Sequence, residues 1–179
     1  GGSWMSIRTK GYHGTTDTAA ASIISQNKFY ISNKNTEWLG AGTYFFAHKA
    51  YATHWAIQEA NKPKHFGRSP AVVSVKLTYK EEQLLDLDDP EQRDQVNELI
   101  KEFISITASV ENSPKADMHR AELWEKWCFG CNLYRRMRPG IAITSFTFPV
   151  RDNPNGFPDT QRQFCVSDPM IISNIKKEA

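Results

Sequence analysis

Residues 71–79 read AVVSVKLTY, and no other stretch constrains the chain as much. Val73, Val75, Leu77 and Tyr79 fall on one side of an extended backbone, which predicts a β-strand with a buried face. Such a strand needs partners. Residues 7–10 and 43–46 also read as strands, the second after Gly40 and Gly42, and residues 29–31 give a short strand signal. Helical spacing predicts helices at 19–25, with Thr16 or Asp17 as N-cap, and at 49–60. Two longer ones follow. Residues 91–106 carry Val96, Leu99, Ile100, Phe103 and Ile104 on one face behind a starting Pro90, and residues 115–137 end before Pro139-Gly140. Strand patterns return at 141–148, 161–167 and 170–175. Strands first, helices in the middle and strands last predict an α+β fold with a mixed or antiparallel sheet, not a doubly wound one.

The chain has 179 residues, which suits one domain over 5–179 after a GGSW start that reads as a tag remnant. No apolar run approaches the roughly 18 residues of a membrane span, so no membrane contact is expected. The net charge of +2 gives a weak global field. Cations gather at Lys62, Lys64 and Arg68 and again at Arg135, Arg136 and Arg138, each group reading first as solvated surface. Three cysteines argue against a secreted disulfide framework, and a cytoplasmic protein is expected. Cys128 and Cys131 have C-x-x-C spacing but no second pair, so no metal is expected and buried cysteines near a helix end are.

Three places carry polar or aromatic residues that structure alone explains poorly. His13 ends a strand before Gly14, whose exposed backbone could meet a ligand amide or ribose diol. Tyr44 and Trp55 are placed to face each other across a slot for a flat, even cationic, ring. Gln161 and Gln163 share one face of a late strand by alternation. Each has a plain reading: a satisfied histidine, core rings and strand-end solvation.

Together, Tyr12-His13-Gly14-Thr15, Gly42-Thr43-Tyr44-Phe45 with Trp55, and Gln163-Phe164-Cys165-Val166 resemble the ADP-ribosyltransferases of the diphtheria-toxin and poly(ADP-ribose) polymerase branch. The resemblance implies a split mixed or antiparallel sheet with flanking helices and a helical insertion at about 89–138. It implies NAD⁺ as co-substrate, with His13 on the adenosine ribose, Gly14 and Thr15 on the nicotinamide carboxamide, and Tyr44 and Trp55 around the nicotinamide ring. Gln163 would lie by the nicotinamide ribose, and with a Glu at position 163 the motif would read Gln-x-Glu, in which Gln161 would orient the acceptor. The family has Glu where this chain has Gln163. Three accounts stay open: a native Gln, a Glu-to-Gln change that disarms the enzyme, or a pseudoenzyme that binds NAD⁺ or ADP-ribose. The implied activity is ADP-ribose transfer to a nucleic-acid base or a protein side chain, with NAD⁺ hydrolysis as a rival. By analogy it implies a bacterial toxin or phage-defence effector, with an antitoxin as partner.

Overall fold

The computed structural model describes residues 5–31, 37–108 and 122–178. Its elements are β1 (Ser6–Thr16), α1 (Asp17–Gln26), β2 (Thr43–Phe46), α2 (Lys49–Ala60), β3 (Pro70–Lys80), β4 (Leu84–Asp86), α3 (Pro90–Ala108), α4 (Leu123–Met137), β5 (Ile143–Arg151), β6 (Asp159–Val166) and β7 (Ile172–Lys177). The strands form one seven-stranded sheet in the order β4-β5-β6-β2-β1-β3-β7. Every pairing is antiparallel except β4 with β5. The fold is therefore α+β with a mixed sheet.

Local chemistry accounts for most boundaries. Thr16 caps α1, its Oγ1 accepting from the Ala19 N–H at 3.4 Å, and α1 ends on Asn27 in the left-handed conformation at φ 50°. Pro90 opens α3 where its missing N–H costs nothing. The first strand does not turn at 11–14: it runs straight through them to Thr16, because β3 pairs with it along its whole length, from Ser6↔Lys80 to Thr16↔Pro70. Residues 29–31 form no strand. Phe29 is instead buried as a plug against the sheet. The expected long helix begins at Leu123, and its expected first part, with residues 115–121, lies outside the described residues.

Alternation sends side chains to two faces. Phe45, Val73, Val75, Leu77, Ile143, Phe164 and Val166 pack with Ala20 and Ile23 of α1 on one face. Val72 and Phe46 meet Ala52 and Ala56 of α2 on the other. There, further along the sheet, Leu85 and Cys165 meet Val96 and Ile100 of α3 and Cys131 and Tyr134 of α4. The helical segment between β4 and β5 is the crossover that a parallel strand pair requires.

One pairing is weak. Between β1 and β2 a single registered pair occurs, Tyr12↔Phe46. Beyond Tyr12 no further residue pair is registered between β1 and β2. This seam divides β4-β5-β6-β2 from β1-β3-β7.

Candidate active site

His13 spans the seam. Its Nδ1 lies 2.9 Å from the Tyr44 carbonyl oxygen. A carbonyl only accepts, so Nδ1 carries the proton, and Nε2 of the neutral ring keeps its lone pair. Phe29 and Phe45 meet the imidazole edge-on, with centroids at 5.3 and 6.0 Å. Burial among them pushes the His13 pKa below its ordinary value, against the opposing pull of the Tyr44 carbonyl. The imidazole is therefore an uncharged group with one acceptor to offer.

Gly14 has a structural reason to be glycine. A Cβ there would lie 2.1 Å from the Ala52 carbonyl oxygen and 3.0 Å from the Ala56 nitrogen. Its bare backbone lets α2 rest directly on β1. Thr15 follows, half-buried, on the His13 side of the strand and opposite Ala71.

Tyr44 points to the other face from His13, because it alternates with Phe45. Its hydroxyl donates to the Gly40 carbonyl at 2.6 Å and accepts from the Leu39 N–H at 3.0 Å. Burial raises its pKa, so it stays a phenol. The turn it grips is held from behind by α4. Asn132 Oδ1 accepts from the Ala41 N–H at 2.9 Å, and Arg135 donates to the Leu39 and Ala41 carbonyls at 2.9 and 2.7 Å. Gly40, at φ +88°, is the residue that permits the turn, and a Cβ on it would strike Arg135 Nη2 at 2.5 Å. Arg135 thus differs from the surface cation expected of the 135–138 group. It is a half-buried staple, whereas Arg136 and Arg138 are exposed.

The ring that Trp55 meets is Phe46, at 6.2 Å and 51°, rather than Tyr44. The hydroxyl bonds hold Tyr44 towards α4, and Phe46 is the β2 side chain that lies under α2. Trp55 is 50% exposed, so part of the residue remains open to solvent.

Gln161 and Gln163 occupy this same face. Gln163 sits opposite Phe46 on β2 and Phe146 on β5, and Gln161 opposite Phe148. Gln163 Nε2 donates to Gln161 Oε1 at 3.4 Å, a bond that uses a donor of Gln163 and leaves its oxygen an acceptor. On the β2 side the amides border Phe46 and, beyond it, Trp55. On the β5 side they border an aromatic group that the sequence reading missed: Trp38, Trp127, Phe146 and Phe148. Trp127 lies 5.0 Å from Trp38 and 5.4 Å from Phe146, and Phe146 lies 5.0 Å from Phe148, all nearly perpendicular. Alternation of Phe146 and Phe148 along β5 was a signal for it, but the pairing with Trp38 crosses from a loop and could not be read.

The structure therefore brings Tyr44, Trp55, Gln161 and Gln163 to one face and leaves the His13 imidazole on the other, joined to them through the Tyr44 backbone. The three cysteines are unpaired and buried, with Cys131 pushed up to about 12 and Cys165 to about 11 by burial. Both thiols are thus poor nucleophiles. Cys128 and Cys131 lie in mid-helix rather than at its end. Among the described residues no group of three His, Cys, Asp or Glu is placed to hold a metal ion, and no helix is long and apolar enough to cross a membrane.

No protein-family model matches the chain, and no solved structure does. It is 25% identical over 81 residues, 45% of its length, to a protein of Methanocaldococcus jannaschii described as uncharacterized. The match spans 38% of that relative.

Proposed function

We propose that the protein binds NAD⁺ along the seam and transfers ADP-ribose to a macromolecular acceptor. The observation that carries this reading is the gathering of Gln161, Gln163, Tyr44 and Trp55 on one face beside the strand edge at His13–Thr15 that β2 leaves unpaired. An unpaired strand edge offers backbone groups to a carboxamide. The half-exposed Trp55 offers an aromatic ring to nicotinamide, which is cationic only before cleavage.

In this reading the bond between the ribose C1′ and the nicotinamide nitrogen breaks, and its electron pair leaves with neutral nicotinamide. The ribose becomes an oxocarbenium ion. The oxygen of Gln163 accepts from the ribose 2′-OH and brings the negative end of its dipole to the cation. An acceptor nitrogen or oxygen, oriented by Gln161, then attacks C1′ and passes its proton to water. A neutral amide stabilises the cation less than a carboxylate does. The chain as it stands is thus a slow enzyme, and Gln163→Glu is expected to speed nicotinamide release by about 100-fold, the scale of one electrostatic contact.

The same amide favours a second reading, an NAD⁺-binding module without turnover. Nicotinamide release by wild type, Gln163→Glu and Gln163→Ala, with mass analysis of the acceptor, separates the two. Adduct and nicotinamide together support transfer. Nicotinamide with free ADP-ribose indicates hydrolysis. Calorimetric NAD⁺ binding with no product from any variant leaves the binding module. An effector acting inside a bacterial cell, as toxin or phage defence with its antitoxin, is the setting that fits such an activity.

A further inference from the structure

The loop after α2 carries side chains that the fold does not use. Residues 61–69 read NKPKHFGRS, with three cations, one aromatic ring and no carboxylate. Phe66 is 95% exposed. A ring left in water contributes nothing to folding, yet the backbone that presents it is well held. The Phe66 N–H donates to the Pro63 carbonyl at 3.2 Å, the His65 N–H to Lys62 at 2.9 Å and the Arg68 N–H to His65 at 2.9 Å. Gly67, at φ +82°, makes the bend. Asp17 and Ser69 exchange bonds at its far end, Asp17 N–H to Ser69 O at 2.8 Å and Ser69 N–H to Asp17 Oδ1 at 3.3 Å.

Charge is sorted in the same loop. Glu59 takes Lys62 Nζ at 2.6 Å and His65 Nε2 at 3.3 Å. Lys64 and Arg68 are left, two residues to either side of Phe66. Glu59 feels the charge of Lys64 and Asp17 that of Arg68, but neither cation is within ion-pair distance of a carboxylate among the described residues.

We propose that this loop is a docking surface for single-stranded nucleic acid, with Phe66 stacking on a base and Lys64 and Arg68 holding phosphates on either side. A π-face accepts any base, and cations beside it follow the backbone. An anionic membrane fits less well, because surface helices bury a whole apolar face and this loop offers one ring. The loop leads into Pro70, which pairs with Thr16 just past His13–Thr15, so a strand held here lies at the β1 end of the candidate site. The surface goes beyond the transfer reading and does not require it. If both hold, nucleic acid is the acceptor.

The test uses the full chain and short fluorescein-labelled single-stranded RNA and DNA oligonucleotides of mixed sequence, read by anisotropy without NAD⁺. Phe66→Ala is expected to weaken binding about 5- to 150-fold. Lys64→Gln with Arg68→Gln is expected to lower the log–log salt slope by about 1.4. Lys176→Gln with Lys177→Gln, on the exposed edge strand β7, makes the same change in charge and is expected to have less effect. The RNA and DNA arms distinguish the sources. No binding at low salt overturns the proposal, as does binding indifferent to both loop variants. Capture by phosphatidylserine vesicles but not by oligonucleotides also overturns it. Nicotinamide release measured in parallel on wild type and Gln163→Glu keeps the outcomes apart: oligonucleotide binding with no turnover by either spares this surface and removes the transferase.

Discussion

The His13 imidazole is tied through Nδ1 to the carbonyl oxygen of Tyr44, 2.9 Å away, at the one place in the sheet where two neighbouring strands share a single registered pair. A side chain here does what a backbone ladder does elsewhere, and its proton is committed to the bond. The acceptor at Nε2 depends on the ring staying neutral, whereas the Nδ1–H bond to the carbonyl is kept in either protonation state.

A pH dependence follows. Burial lowers the folded-state pKa of His13 below 6.5, its value in the unfolded chain. As pH falls through 6.5 the unfolded chain takes up the proton first, so stability drops from there down to the folded pKa and is flat below it. Above 6.5 the group has no effect. Urea midpoints for wild type and His13→Gln are expected to diverge only on the acid side. Parallel midpoints from pH 8 to 5 would mean that the imidazole titrates normally.

Gly14→Ala is expected to lose about 3 kcal/mol or more, because the new methyl meets a helix carbonyl at 2.1 Å and no rotamer can avoid it. Denaturant unfolding checks this. A variant as stable as wild type would show that α2 can lift from β1, and would leave ligand contact as the reason for the glycine.

Arg135 and Arg136 are neighbours with opposite fates. Arg135→Met removes the donors to the Leu39 and Ala41 carbonyls and is expected to cost about 2–4 kcal/mol. Arg136→Ala, on the exposed side of α4, is expected to stay within about 0.5 kcal/mol. Equal thermal midpoints for the two would remove the staple.

Tyr44 and Trp55 should separate in the same way. Tyr44→Phe breaks the bridge to Gly40 and Leu39 and is expected to cost about 1–2 kcal/mol in stability. Trp55→Ala, half exposed, is expected to weaken NAD⁺ binding in calorimetry by about 1 kcal/mol, with little change in unfolding midpoint. Unaltered NAD⁺ affinity would take Trp55 out of the site.

Much of the fold was legible because it rests on local periodicity. The Val73–Tyr79 alternation, the helix at 49–60 and Pro90 as a helix start all depend on neighbours within a few residues. β4 was not legible: its three residues carry too little pattern, and it forms because β5 lies alongside. Phe29 has strand propensity, yet it serves as a plug, since a hydrophobic pocket rewards burial in any backbone conformation.

Residue types and their one-dimensional spacing were determined by the sequence alone: His13 before Gly14, Tyr44 after a Gly-rich turn, and Gln161 and Gln163 two apart and hence on one face. Tertiary structure alone decided what those groups meet. Strand register set Gln163 between Phe46 and Phe146, α4 turned Tyr44 away from Trp55, and α2 claimed Gly14. Alternation is a property of a single strand, whereas facing partners come from the order in which distant strands and helices pack, which no local pattern encodes.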